Sequence, residues 1–174
     1  LAGAGGSGKS TMTAAAISRG WQTTGDDFVL VSKPPDPVSF PIFDVMKLTG
    51  MAEGMFAEQA DRALNPARAP GEKALIPLSA NAAENFARSL PILAIFSLEL
   101  TGEQSSRIET FSKEATVAAL APSTMNILRT AMPETLEQCS SLARNLPTYR
   151  LLVGNDPLEG LSTLETFMRQ DNWG

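Results

Sequence analysis

Gly3-Ala4-Gly5-Gly6-Ser7-Gly8-Lys9-Ser10 satisfies the spacing G-x-x-x-x-G-K-[ST], and Thr11 follows it directly. Glycines at this spacing let the backbone turn its N–H groups inward around phosphate oxygens. The lysine can then reach the β- and γ-phosphates, and the Ser10 hydroxyl can ligate Mg²⁺. Such a loop needs a strand before it and a helix after it. Leu1-Ala2 reads as the end of a buried strand, and residues 10–18 (STMTAAAIS) are mostly small helix formers. Arg19 and Gly20 then supply the cation and the glycine expected where a helix stops. Because a whole strand should precede the loop, the domain is expected to begin upstream of residue 1.

Further along, residues 21–24 are predicted as a short strand and Gly25-Asp26-Asp27 as a turn or strand edge. Residues 28–31 form an apolar β run that Pro34, Pro35 and Pro37 end. A strand is expected over 40–45, an amphipathic helix over 51–64, a loop over 65–71 (NPARAPG) and a strand over 73–78. The strongest buried-strand signal is 90–100 (LPILAIFSLEL), expected at the centre of a sheet with Pro91 tolerable only near its start. Helices follow at 113–120, 123–130 and 134–145, then a strand at 149–153 and a helix at 158–169. Strands interleaved with helices, without repeats, predict one α/β domain over 1–174 with a mixed sheet.

The 174 residues carry a formal charge of -5, with 43% hydrophobic and 19% charged side chains. This balance speaks against a broad nucleic-acid or anionic-membrane footprint, which needs clustered Lys and Arg. No run is long and apolar enough to read as a membrane span. With no His and a single Cys139, zinc sites built on imidazole or thiolate and Ser-His or Cys-His triads are excluded. Cys139 reads as a small core residue, and its solitude suits a reducing compartment, so a cytoplasmic protein is expected.

Asp26 and Asp27 stand seventeen and eighteen positions after Lys9, just beyond the predicted helix and strand. In a strand–loop–helix–strand unit the chain returns beside the phosphate loop, so carboxylates there can face a metal and the γ-phosphate. Neighbours on an extended segment point opposite ways, which suggests separate roles. One would hold Mg²⁺, and the other would accept a proton from an attacking hydroxyl. Spacing alone favours two acidic residues at a solvated turn.

The run from Gly3 to Val31, with its loop, Arg19-Gly20 and Asp26-Asp27 before an apolar strand, resembles the catalytic domain of HPr kinase/phosphorylase. It is similar above all to the HPr-kinase-related proteins found beside peptide-modification genes, including lasso-peptide clusters. Weaker echoes lie at Phe40 to Leu48, Gly71 to Leu78 and Leu120 to Thr124. The resemblance implies a P-loop fold shared with ATP-dependent phosphoenolpyruvate carboxykinase, a mixed sheet with flanking helices. It also implies ATP- and Mg²⁺-dependent phosphorylation of a serine on a protein or peptide, and a homo-oligomer. Carried over by position, Gly3, Ala4, Gly5, Gly6, Ser7, Gly8, Lys9, Ser10 and Thr11 would bind phosphate. Ser10, Asp26 and Asp27 would serve the metal, and Asp26, Asp27 and Lys9 would be catalytic. The family's active-site His precedes the loop and falls outside this sequence, and the family's signature segment beyond the Asp pair is not recognisable.

Phosphoryl transfer also needs cations for the developing charge. Lys47 and Lys73, each beside a predicted strand, are the candidates, with Arg62 and Arg68 behind them. Any single Lys or Arg is more simply a solvated surface residue. Among rival readings, a GTPase lacks its N-K-x-D segment here. Asp156 fits a helix N-cap before Pro157 better than the metal carboxylate of a transporter-type ATPase. A small-molecule kinase or carboxykinase-like enzyme would use the same loop, metal and base. A non-catalytic ATP-binding regulatory module would need the loop without the Asp pair.

Overall fold

The computed structural model describes residues 1–81, 84–127 and 131–170. The chain is mixed α/β with several small sheets, and it divides into two compact units. Residues 10–31 and 38–90 form a ribbon unit, and residues 1–9, 32–37 and 91–170 form a sheet unit.

The ribbon unit begins with α1 (Lys9–Ser18), which buries Met12, Ala14, Ala15 and Ile17. Its end is the predicted Arg19-Gly20 stop. Gly20 N–H donates to the Ile17 carbonyl at 2.9 Å and Trp21 N–H to the Ala16 carbonyl at 3.0 Å, the paired bonds of a Schellman turn. The strand expected at 21–24 shrinks to one parallel bridge between Thr23 and Phe86. β1 (Val29–Val31) and β2 (Val38–Pro41) then pair antiparallel, with Leu30 opposite Phe40.

The strand expected over 40–45 divides, because Pro41 ends β2 and residues 42–44 bend before β3 (Val45–Leu48). The helix expected over 51–64 also breaks, into α2 (Gly50–Met55) and α3 (Ala57–Ala60). Two glycines weaken α2, and Phe56 leaves the helical region at φ -124 and ψ 52 while its side chain is buried. Leu64 N–H then joins the Leu75 carbonyl at 2.8 Å, outside any helix.

β4 (Ala74–Pro77) pairs antiparallel with β3, placing Met46 opposite Ile76 and Lys47 opposite Leu75. Period-two alternation explains the burial. Met46, Leu48, Ala74 and Ile76 point inward, and Lys47 points to solvent. α4 (Leu78–Asn81) follows, with Asp44 accepting from the Ser79 backbone N–H at 2.6 Å and from its hydroxyl. β5 (Leu90–Pro91) completes a three-stranded sheet of order β1-β2-β5.

The sheet unit is built on β6 (Ile95–Leu100), β7 (Arg107–Thr110) and β8 (Thr148–Val153) in the order β6-β8-β7. β6 runs parallel to β8 and β7 antiparallel to it, so the sheet is mixed as expected. The strand expected over 90–100 is two, separated at residues 92–94. Ala2 lies along the other side of β6. Its N–H donates to the Phe96 carbonyl and its carbonyl accepts from Leu98 N–H, both at 2.8 Å. Ala2 thus forms a parallel bridge with Ser97, and β6 has a neighbour on each side.

Helices cover both faces of this sheet. Ile95 packs with Ala2 and Leu146, beside Ala119 and Leu120 of α5 (Lys113–Ile127) and Leu142 of α6 (Met132–Asn145). Phe96, its neighbour, points the other way. There it stacks on Tyr149 at 5.2 Å between centroids and meets Phe167 of α7 (Pro157–Gln170) edge-on at 5.9 Å. α5 replaces the helices expected over 113–120 and 123–130. It continues through the exposed Pro122, and residues 128–130 lie outside the described ones. Asp156 is the expected cap, its Oδ1 accepting from Leu158 N–H at 2.9 Å. Among the described residues no helix is long and apolar enough to cross a membrane.

Candidate functional site

The glycine-rich loop lies in the sheet unit, directly after the strand-like Ala2. Gly3 has φ +142, and a Cβ there would stand 2.8 Å from Ser7 Oγ and 3.0 Å from the Leu98 carbonyl oxygen. Gly8 has φ +93, and a Cβ there would press on Leu100 Cδ2 at 3.0 Å. The loop is therefore drawn tight against the end of β6, as the motif requires of its first and last glycines. Lys9 folds back over it. Its Nζ donates to the carbonyls of Gly3 at 2.9 Å and Ala4 at 2.8 Å, with Ser7 Oγ at 3.4 Å. Three acceptors match the three donors of an ammonium group, so the cation is held at the loop. Ala4, Gly5 and Gly6 are exposed, while Ser10 and Thr11 are half-buried in the first turn of α1. Backbone N–H groups and the positive end of a ten-residue helix make this a setting suited to a bound anion.

Asp26 and Asp27 lie in the ribbon unit, and one residue holds both. The backbone N–H of Lys47 donates to Asp26 Oδ2 at 3.1 Å, and Lys47 Nζ donates to Asp27 Oδ2 at 2.7 Å. The two carboxylates consequently differ in environment. Asp26 is half-buried and accepts from the β3 backbone, whereas Asp27 is exposed and ion-paired with the flexible Lys47 side chain. An exposed pair of this kind contributes about 0–1 kcal/mol, so Lys47 can release Asp27 at little cost.

The other cation candidates lie in the same ribbon unit. Lys73 is an exposed residue before β4 whose carbonyl accepts from Asn65 Nδ2 at 3.0 Å. Arg68 is ion-paired with Glu53. Arg62 joins Ile17, Met46, Glu58, Ile76 and Leu78 around a cavity of about 200 Å³ in the ribbon unit. Among the described residues no group of three or more His, Cys, Asp or Glu side chains gathers as a metal cage. Asp26, Asp27 and Ser10 are the oxygen ligands on offer.

Sequence reading missed β7 and the charge ladder it carries. Glu109 stands opposite Arg150 and bonds it at 2.8 Å, Arg150 reaches Glu99 at 3.4 Å, and Arg107 pairs with Glu103 and Glu109. The guanidinium of Arg150, and then that of Arg107, holds the Glu109 carboxyl below its ordinary range. The available signal was the alternation of Arg107-Ile108-Glu109, whose outward charges complement those of β8. Beside this ladder, Ser97 Oγ and Arg150 Nε are buried without hydrogen-bond partners, on residues that face each other across β6 and β8.

No family model, curated protein or solved structure matches the chain.

Proposed function

We propose that this chain is an ATP- and Mg²⁺-dependent phosphotransferase of HPr-kinase-like P-loop type that acts on a serine hydroxyl of a protein or peptide. The observation that carries the reading is the loop itself, a tight glycine turn over which Lys9 is already held. Binding energy spent on positioning and charge neutralisation is what phosphoryl transfer mainly requires.

In this reading the backbone N–H groups of residues 3–8 and Lys9 Nζ hold the phosphates, with Lys9 exchanging loop carbonyls for phosphate oxygens. Ser10 and Asp26 serve as metal ligands. Asp26 suits that task because the β3 backbone fixes one of its oxygens. Bound MgATP supplies the phosphoryl group and offsets its charge. Asp27, exposed and releasable, takes the proton from the acceptor hydroxyl as the new O–P bond forms and the bond to the ADP oxygen breaks. Lys47 stabilises the charge that develops on the transferred oxygens.

The test is incubation with γ-labelled ATP, Mg²⁺ and candidate serine acceptors, with mass spectrometry of labelled species. Lys9→Ala should abolish nucleotide binding or turnover. Asp27→Asn should keep ATP affinity and slow transfer by roughly 10²–10⁴. Normal labelling by Asp27→Asn would remove the base from the mechanism. ATP affinity without any labelled product would point to a sensor.

A further inference from the structure

We infer that the outer edge of β7 is an interface between two copies of this chain, which pair antiparallel about a two-fold axis beside Ile108. The pairing is independent of the phosphotransferase reading above. β7 is an end strand of the β6-β8-β7 sheet, and among the described residues no strand pairs with its outer edge. Phe111 N–H donates to the Thr148 carbonyl at 3.0 Å. Backbone groups alternate along an antiparallel strand, so those of Phe111, Glu109 and Arg107 face β8 and those of Ile108 and Thr110 face outward. Outward N–H and C=O groups are a template for an added strand. Just before β7 the template closes, because Ser106 N–H donates to Glu159 Oε2 at 3.0 Å.

Charge selects a second copy as the occupant and sets its register. Outward residues must meet outward residues to bond, so a two-fold axis passes beside a residue of β7 and not between two. An axis beside Arg107 or Glu109 sets like charges directly opposite each other, and one beside Thr110 sets Glu109 against Phe111. An axis beside Ile108 sets Arg107 of each copy opposite Glu109 of the other, with Ile108 opposite Ile108 on the other face. The Arg107 and Glu109 side chains are 48% and 40% exposed, so both can reach across. Charges on an edge strand ordinarily deter pairing. Of opposite sign and two residues apart, these deter the other registers and favour this one.

The helix above the edge agrees with this pairing. α7 packs against both β7 and β8, so its axis lies half a strand spacing inside β7. The two-fold axis lies half a spacing outside it. With strands ~4.8 Å apart, the α7 helices of the two copies stand roughly 10 Å from each other. Packed helices are separated by about 8–10 Å, so the two meet without opening the sheet. Thr163, Thr166 and Gln170 of α7 line an open groove of about 340 Å³ with Ile108 and Phe167, and the second α7 fills it. The result is one continuous sheet. Ala2 and the glycine-rich loop lie beyond β6, at the end of the sheet unit away from the axis, so the pairing leaves the loop open.

The test is sedimentation velocity over a series of protein concentrations, with circular dichroism to check that each variant folds. The natural chain should show a reversible monomer–dimer equilibrium. Arg107→Glu alone and Glu109→Arg alone each set like charges opposite each other and should be monomeric. An equimolar mixture of the two variants restores opposite charges at both positions and should dimerise. Ile108→Pro removes the outward N–H from both copies and spares the bonds to β8, so it should weaken the dimer about tenfold or more. It also serves as the second measurement should Glu109→Arg fail to fold beside Arg150. A natural chain that stays monomeric at every concentration would overturn the interface. So would a dimer that persists in Arg107→Glu or in Ile108→Pro, or two folded single variants whose mixture stays monomeric.

Discussion

Replacing Gly3 by alanine tests whether the loop is held as tightly as its geometry implies. Two costs add. The backbone at φ +142 is one that L side chains rarely adopt, and strain of this kind costs about 1–3 kcal/mol. The new methyl would also lie 2.8 Å from Ser7 Oγ and 3.0 Å from the Leu98 carbonyl. Ser7 can rotate away, at the expense of its contact with Lys9. Leu98 cannot yield easily, because it sits in β6 and its N–H is bonded to the Ala2 carbonyl. Overpacking against fixed groups costs a further ~1–3 kcal/mol. The sum is about 2–6 kcal/mol, or a fall of roughly 4–24 °C in Tm for a chain of this size. Gly5→Ala is the control, since nothing lies within 4 Å of its added Cβ and its φ is not positive. It should leave Tm unchanged or raise it slightly. Scanning calorimetry of both variants, with titration of a fluorescent ATP analogue, separates loss of fold from loss of the cradle. Equal Tm values for the two variants would refute a tight loop.

Three further outcomes follow from residues away from the loop. Ser97→Ala removes a buried hydroxyl that has no partner, so denaturant unfolding should show a change between neutral and about 1 kcal/mol more stable; a loss above about 1 kcal/mol would show that the hydroxyl is satisfied by ordered water. Burial pushes the Cys139 thiol above its ordinary value, so native protein should react with a thiol reagent at pH 8 far more slowly than unfolded protein, and equal rates would contradict the packing of α6. Glu109 is held below its ordinary range by Arg150 and Arg107, so the folded state binds its proton more weakly than the unfolded state. Its contribution is therefore present above the ordinary carboxyl value of 4.5 and lost as pH falls through the lower, folded value. Glu109→Gln should narrow the gap in Tm between neutral and acid pH, and an unchanged gap would show the ladder to be inert.

Elements fixed by local chemistry were legible in the sequence. The loop, the helix after it, the Arg19-Gly20 stop, the Asp156 cap and the apolar run of β8 each depend on residues within one turn of themselves. The failures came where distant contacts overrode local pattern. Residues 51–64 carry helical periodicity, yet burial of Phe56 breaks the helix and Leu64 is drawn to the Leu75 carbonyl. α5 runs on through Pro122 because the ring and the missing donor face solvent. β7 is too polar to read as a strand until Arg150 is known to lie opposite Glu109.

The site follows the same division. Lys9 and its glycines are close in sequence, so their conjunction was visible at once. Asp26 and Asp27 were visible as a pair expected to take separate roles, but which carboxylate takes which was not, because no partner of either was in view. What separates them is Lys47, twenty positions on. Its orientation follows from the alternation Met46-Lys47-Leu48, where two fully buried side chains force the one between them outward. That alternation lay in the sequence, beyond the point where the strand was expected to end. With β3 extended to Leu48, its backbone binds one aspartate and its outward ammonium the other. A single lysine thereby ties Asp26 through its backbone N–H and Asp27 through its ammonium group, so the two carboxylates sit in different surroundings.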